Sequence, residues 1–95
     1  MMLKEPLRPA EAKALIRDIL TTGELTWSKP HAEERLRKWQ LSMLDCINVL
    51  RGGVVAEGEF ENGSWRYRVY TPKICVVVRF ESEEIVQIVT AWRET

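Results

Sequence analysis

Ninety-five residues, 45% of them hydrophobic and 29% charged, are expected to form one globular domain over residues 1–95, since this length is too short for a second. Fourteen basic residues balance fourteen acidic ones, which argues against strong nonspecific binding to nucleic acid and requires any polyanion site to be local. With one histidine, two isolated cysteines (Cys46 and Cys75, expected to be buried) and no long apolar run, we expect no disulfide framework, metal site, cofactor, signal peptide or membrane span, and a cytoplasmic protein.

The first predicted element is a helix that begins near Pro9. Apolar residues recur at positions 12, 15, 16, 19 and 20, which places them on one stripe of a helix, and proline is favoured in a helix's first turn. Gly23 follows this stripe and is expected to end the helix. The next four residues, Glu24 to Trp27, are either a brief strand or an extended link.

Two further helices are predicted before the glycine pair at 52–53. Ser28 is expected to cap the second helix, which continues to Trp39. Ser42, with Asp45 three residues later, is expected to start the third, which the glycine pair ends. The helices together cover about residues 9–52.

The second half, from about residue 54 to residue 94, has the pattern of four strands joined by tight connections. Asn62-Gly63 is typical of a two-residue type I′ turn. If these residues form the centre of such a turn, Glu59 lies opposite Arg66 and Glu57 lies opposite Arg68. The first two strands are therefore predicted to carry facing pairs of opposite charge.

The next turn sets the register of the following strand. A turn at Pro72-Lys73 places Tyr70 opposite Cys75 and Arg66 opposite Arg79. The resulting sheet has an apolar face, expected to receive the helices, with Val54, Phe60, Trp65, Tyr67, Val69, Ile74, Val76, Val78 and Phe80. Its polar face carries Glu57, Glu59, Arg66, Arg68, Tyr70, Cys75, Val77 and Arg79. The expected fold class is α+β, with N-terminal helices packed on one face of a four-stranded, mainly antiparallel sheet.

The last strand, Glu84 to Arg93, is apolar on both of its alternating faces. A strand with that pattern is expected at a covered, central position of a sheet. Because a slip of one residue exchanges its faces, the sequence leaves open whether Trp92 or Arg93 reaches the polar face.

Three arginines, Arg66, Arg68 and Arg79, give the polar face its candidate function. Clustered guanidinium groups can bind a phosphodiester and stabilise the charge that develops when it is cleaved, without a metal ion. Arg66 beside Arg79 favours this interpretation, since like charges placed opposite each other need an anion or a carboxylate between them. The alternative is that Glu57 and Glu59 simply neutralise the arginines they face.

Proton transfer is assigned to Tyr70 or His31, with Glu57 or Glu59 as a base. The alternative for each is structural. A histidine in the first turn of a helix commonly bonds to backbone or to a neighbouring carboxylate, and an aromatic side chain at the rim of a sheet commonly only packs.

The run His31-Ala32-Glu33-Glu34-Arg35-Leu36, then Ser42-x-x-Asp45, then Val49-Leu50 and Gly53, resembles a bacterial family of small domains of unknown function. That family resembles the toxins of the RelE and BrnT type, which begin with helices and finish in a curved antiparallel sheet, and more distantly the MqsR-like toxins. The likeness covers about residues 27–93. It implies a free or ribosome-dependent mRNA interferase of a type II toxin–antitoxin system, paired with an antitoxin that often carries a zinc-finger or helix-turn-helix domain.

The function expected from the sequence is therefore a toxin-like domain that cleaves or binds RNA through the polar sheet face. A non-catalytic protein-interaction module with a toxin-like fold is the alternative, and the zero net charge and the glutamates facing the arginines favour it. A third hypothesis, an enzyme that acts on a small ligand through His31 and a carboxylate, has no cofactor motif to support it.

Overall fold

The computed structural model describes residues 3–94, and this part of the chain contains three helices and six strands. In chain order they are α1 (Pro9–Thr22), β1 (Glu24–Trp27), α2 (His31–Lys38), α3 (Met43–Gly52), β2 (Val54–Val55), β3 (Glu59–Glu61), β4 (Ser64–Tyr70), β5 (Ile74–Phe80) and β6 (Ile85–Arg93). The predicted α+β class is confirmed. No helix within residues 3–94 has the length and hydrophobicity that crossing a bilayer requires.

The strands lie in the order β1-β6-β5-β4-β2, and β3 also pairs with β4. β1 runs parallel to β6, and the other pairings are antiparallel. The predicted count of four strands is wrong, because the first predicted strand is divided into β2 and β3 and because Glu24–Trp27 forms an edge strand. The central position predicted for the last strand is confirmed, since β6 lies between β1 and β5.

Capping groups define the ends of α1 and α3. Pro9 is the first residue of α1, and the Gly23 N–H donates to the Ile19 carbonyl at its end, 2.7 Å away. At α3, the Asp45 N–H donates to Ser42 Oγ over 3.0 Å, and the Ser42 N–H donates to Asp45 Oδ2 over 2.8 Å. These reciprocal bonds satisfy donors that a helix leaves free at its start. The predicted starts of both helices are confirmed.

The start of α2 differs from the prediction. Ser28 does not cap this helix, because its Oγ donates to the Val89 carbonyl of β6, 3.2 Å away. Pro30 occupies the cap position instead, and Trp39 follows the last helical residue. The Ser28 hydroxyl therefore ties the entrance of α2 to the sheet.

β2 and β3 pair with β4 in different registers. Between the paired positions Val55–Val69 and Glu59–Arg66, three residues of one strand face two of the other. Such a bulge reverses the alternation of side chains beyond it. Val55 is therefore buried while Val54 is 55% exposed, and the predicted inward position of Val54 is wrong.

The same bulge removes Glu57 from its predicted place. The Ala56 N–H donates to the Arg68 carbonyl over 2.9 Å, so Glu57 has no paired position opposite Arg68. Gly58 follows, and a Cβ there would lie 2.9 Å from Cε2 of the Tyr67 ring. The chain thus steps over the buried Tyr67 ring at a residue that has no side chain.

A second bulge, in β6, decides which of its faces is buried. Val77 pairs with Thr90 while the next residue, Val78, pairs with Ile88, so Val89 is the extra residue. The residues turned to the core are Val86, Ile88 and Ala91, and Gln87, Thr90 and Trp92 stand opposite outward-facing positions of β5. Trp92 therefore lies on the polar face.

Arg93 turns the other way. Its Nε donates to the Trp39 carbonyl over 2.8 Å and its Nη2 to the Gln40 carbonyl over 3.0 Å. Gln40 has a φ of 54°, so the chain reverses there in the left-handed region. Arg93 thus links the end of the sheet to the turn between α2 and α3.

The core lies between the helices and the inner face of the sheet. Its largest fully buried side chain is Tyr67, which packs on Phe80 with ring centroids 5.3 Å apart. The other buried members include Ile16, Ile19, Leu50, Val69, Val76, Val78, Val86 and Ile88. This packing covers the inner face of the sheet. The opposite face of the sheet, here called the outer face, is left for function.

Candidate functional site

The outer face carries three adjoining cavities. The central cavity, about 590 Å³, is lined by Ser28, His31, Arg66, Arg79, Gln87, Val89 and the turn at 62–64. The hairpin cavity, about 130 Å³, is lined by Glu59, Glu61, Arg66, Arg68, Val77, Thr90 and Trp92. The helix cavity, about 370 Å³, is lined by His31, Arg35, Trp39, Thr90, Ala91 and Trp92. Shared residues join them into one surface.

Arg66 lies where the central and hairpin cavities meet. Its side chain is 21% exposed, and its nearest carboxylate is Glu61, with Nη1 4.0 Å from Oε2. The buried Nε makes no hydrogen bond to residues 3–94. An N–H left without an acceptor in a buried position costs about 1–3 kcal/mol. Arg66 therefore lines both cavities while one of its donors is left without a partner among residues 3–94.

Arg79 lines the central cavity together with Arg66. Its Nε donates to Gln87 Oε1 over 2.8 Å, and its Nη2 lies 3.3 Å from Glu81 Oε1. The β4–β5 ladder ends at Tyr67 and Val78, so the predicted pair of Arg66 and Arg79 would lie one step beyond it. Gln87 thus orients one edge of the Arg79 guanidinium.

Arg68 belongs to the hairpin cavity. Its Nε is 3.5 Å from Glu59 Oε1, and its Cζ lies 5.8 Å from the centroid of the Trp92 ring. The predicted pairing of Arg68 with Glu57 is wrong. Glu59 stands opposite Arg66 in the ladder, as predicted, yet its carboxylate reaches diagonally to Arg68.

The carboxylates around these arginines hold them weakly. Glu59, Glu61 and Glu81 have side chains that are 54%, 50% and 33% exposed. Ion pairs this accessible to water contribute about 0–1 kcal/mol and are screened by salt. A phosphodiester can therefore replace the glutamates as the partner of the guanidinium groups.

His31 is the first residue of α2 and lines both the central and the helix cavity. Its exposed imidazole makes no hydrogen bond or ion pair with the described part of the chain. The structure thus brings His31, Arg66 and Arg79 to one cavity, although 35 residues or more separate the histidine from the arginines in sequence. A ligand bound there can exchange a proton with the imidazole.

Tyr70 is the candidate that the structure does not bring to these cavities. It stands at the far end of β4, 42% exposed, opposite Val54 and Cys75.

The two cysteines are buried, and burial raises the pKa of both the Cys46 and the Cys75 thiol to about 11. Both thiols are therefore protonated near neutral pH and are poor nucleophiles.

Sequence reasoning missed several residues that line the cavities, among them Trp39. His31, Arg35 and Trp39 follow one another at intervals of four, a spacing that places all three on one side of a helix and is visible in the sequence. Thr90 and Gln87 interrupt an otherwise apolar strand. Their side chains were assignable to the outer face only once the bulge at Val89 was known.

No three histidine, cysteine, aspartate or glutamate side chains within residues 3–94 are grouped closely enough to hold a metal ion. Comparisons with family models, with curated proteins and with solved structures found no match.

Proposed function

We propose that the outer face binds single-stranded RNA and cleaves it without a metal ion, as the toxin of a cytoplasmic type II toxin–antitoxin pair. The observation that carries the proposal is Arg66, a guanidinium with an unpartnered buried N–H in a cavity shared with Arg79 and His31. The run from His31 to Gly53 supports the same proposal, since it resembles a family of small bacterial domains that in turn resembles the RelE and BrnT toxins.

The proposed cleavage uses groups that already line the cavities. The ribose 2′-hydroxyl attacks the neighbouring phosphorus, the bond to the 5′-oxygen breaks, and the leaving oxygen takes up a proton. Arg66 and Arg79 bind the phosphate oxygens and stabilise their developing charge. His31 donates the proton to the leaving oxygen, and Glu59 takes the proton of the attacking hydroxyl.

Neither Glu57 nor Tyr70 takes part in the proposed cleavage. Glu57 precedes β3 and lines none of the three cavities, while Glu59 lines the hairpin cavity beside Arg66. Tyr70 also lies outside all three. The residues proposed to carry out cleavage are therefore His31, Glu59, Arg66 and Arg79, with Arg68 at the edge of the site.

The test is a growth assay combined with cleavage of labelled single-stranded RNA in the presence of EDTA, with and without ribosomes. Expression of the wild-type chain in bacteria should arrest growth, and the R66A/R79A double variant should relieve the arrest and abolish cleavage. The matched control is R17A/R51A, which removes the same charge from two arginines that line a separate cavity beside α1. Normal growth with the wild-type chain at high level would refute the toxin proposal.

A second function is favoured by the carboxylates. Each of Arg66, Arg68 and Arg79 has a glutamate oxygen within 4.0 Å, as expected of a surface whose charges are already matched. The exposed apolar side chains Val54 and Tyr70 lie side by side on neighbouring strands. A non-catalytic protein-interaction module would bind a protein partner stably and would leave RNA intact under every condition of the test above.

A further inference from the structure

The helix cavity differs in chemistry from the two cavities that hold the paired arginines. Its wall combines two indole rings, Trp39 and Trp92, with Arg35, His31 and the Thr90 hydroxyl. Its volume of about 370 Å³ falls within the range of about 300–1,000 Å³ that is usual for small-molecule sites. Flat apolar walls with a few polar groups suit a planar, partly polar ligand.

Both indole rings are held by contacts outside the cavity. The Trp92 Nε1–H donates to Glu94 Oε1 over 2.8 Å, and Arg68 lies over the same ring from the hairpin cavity. Lys38 Nζ lies 5.6 Å from the centroid of Trp39. Because Arg68 does not line the helix cavity, the Trp92 surface on that side is left for stacking.

The Arg35 guanidinium is the group that would select among polar ligands of the helix cavity. Arg35 is half-buried, and unlike those of Arg66, Arg68 and Arg79, its side chain forms no ion pair or hydrogen bond with residues 3–94. A guanidinium has donors and no acceptors, and no carboxylate lines this cavity. The cavity therefore favours a base edge that presents two acceptors side by side, as guanine does with O6 and N7.

We infer that the helix cavity is a nucleobase subsite, in which a base of single-stranded RNA stacks on Trp92 and guanine is preferred through Arg35. The inference rests on the proposed function, because His31 connects this cavity to the central cavity in which the phosphate would lie. Stacking on aromatic side chains and hydrogen bonds to unpaired bases are the usual means of reading single-stranded RNA. The subsite gives the proposed nuclease a sequence preference beside the scissile phosphate.

The test measures binding of uncleavable 2′-O-methyl RNA octamers by fluorescence anisotropy. All octamers are cytidine except at the fourth position, which is guanine, adenine, uracil, cytosine or an abasic residue. The guanine octamer should bind about tenfold more tightly than the abasic one. Arg35→Lys keeps the charge but loses the planar fork, so it should remove the guanine preference, and Trp92→Ala should remove the dependence on a base.

Matched controls separate the subsite from general effects. R37K changes an exposed arginine of the same helix, and W27A removes an exposed indole of β1; neither residue lines the helix cavity. Both controls should keep the guanine preference. Equal binding of all octamers by a wild-type chain that still requires Arg66 and Arg79 would overturn the subsite and leave the proposed function standing. Failure of every octamer to bind would overturn both.

Discussion

Tyr67 connects three parts of the fold through one phenol. Its ring is fully buried in the core, while its hydroxyl accepts the Leu7 N–H over 2.9 Å and donates to Glu5 Oε2 over 2.9 Å. Gly58 lies against the other side of the ring. The residue therefore holds the segment before α1 against the sheet and also shapes the bulge between β2 and β3.

Tyr67→Phe should lower the free energy of unfolding by about 1–3 kcal/mol, because the Leu7 N–H and the Glu5 carboxylate lose their partner while the ring stays in place. Urea denaturation at pH 7 measures the change. Tyr70→Phe, which alters an exposed phenol of the same strand, is the control and should change stability by less than about 0.5 kcal/mol. An unchanged midpoint for Tyr67→Phe would show that the hydroxyl contributes nothing.

The same phenol predicts how stability depends on alkaline pH. Burial, chiefly, raises the pKa of Tyr67 to about 12 from an ordinary value near 10. The unfolded chain thus loses this proton first, so the stability from Tyr67 is fully present below pH 10 and is lost as the pH rises towards 12. Tyr67→Phe should show a shallower fall than the wild type in that window, and parallel curves would contradict the assignment.

Among the helices, α3 depends most clearly on its cap. The reciprocal bonds between Ser42 and Asp45 are formed within four residues, so Ser42→Ala should destabilise the protein by about 0.5–2 kcal/mol. Asn48→Ala, on the exposed side of the same helix, is the control. Thermal denaturation measures both. RNA binding by folded Ser42→Ala should equal that of the wild type, because α3 packs on the inner face.

The bulge in β6 determines which of its side chains line the cavities of the outer face. Deleting Val89 would leave the pairs Val78–Ile88 and Val77–Thr90 in register and remove the extra residue that bends the strand. The deletion variant should remain folded by circular dichroism and bind RNA at least about tenfold more weakly, since the deletion displaces the residues of β6 that line the cavities. Val89→Ala keeps the bulge and only shortens a side chain that lines the central cavity, so it should weaken RNA binding less than the deletion does. Full binding by the deletion variant would show that the bulge is dispensable.

The net charge of the chain affects how the affinity for RNA should depend on salt concentration. The net charge is zero, so long-range attraction is weak and binding depends on the few cations of the outer face. For single strands, each neutralised phosphate contributes about −0.7 to the slope of log K against log salt concentration. Three arginines therefore predict a slope of about −2, falling to about −0.7 in R66A/R79A. A steep slope that R17A/R51A reduces equally would point to nonspecific attraction.

Local signals in the sequence were enough for the starts of α1 and α3 and for most of the sheet register. The Ser42 cap, the stop at Gly23 and the turn at Asn62-Gly63 each involve residues within a few positions of one another, so their geometry does not depend on distant parts of the chain. The alternation of side chains in β4 and β5 then placed Arg66, Arg68 and Arg79 away from the helices.

Tertiary packing determined the features of the fold that these local signals did not predict. The bulge opposite Tyr67 depends on a ring that Gly58 must accommodate, and the extra Val89 accompanies the bond from Ser28 to its carbonyl, 61 positions away in sequence. β1 pairs in parallel with a strand near the other end of the chain, and α2 continues beside β6. These contacts join residues that are far apart in sequence, and they alone bring His31 and Trp92 to the arginines. A short-range sequence pattern does not specify which distant strand a segment will pair with.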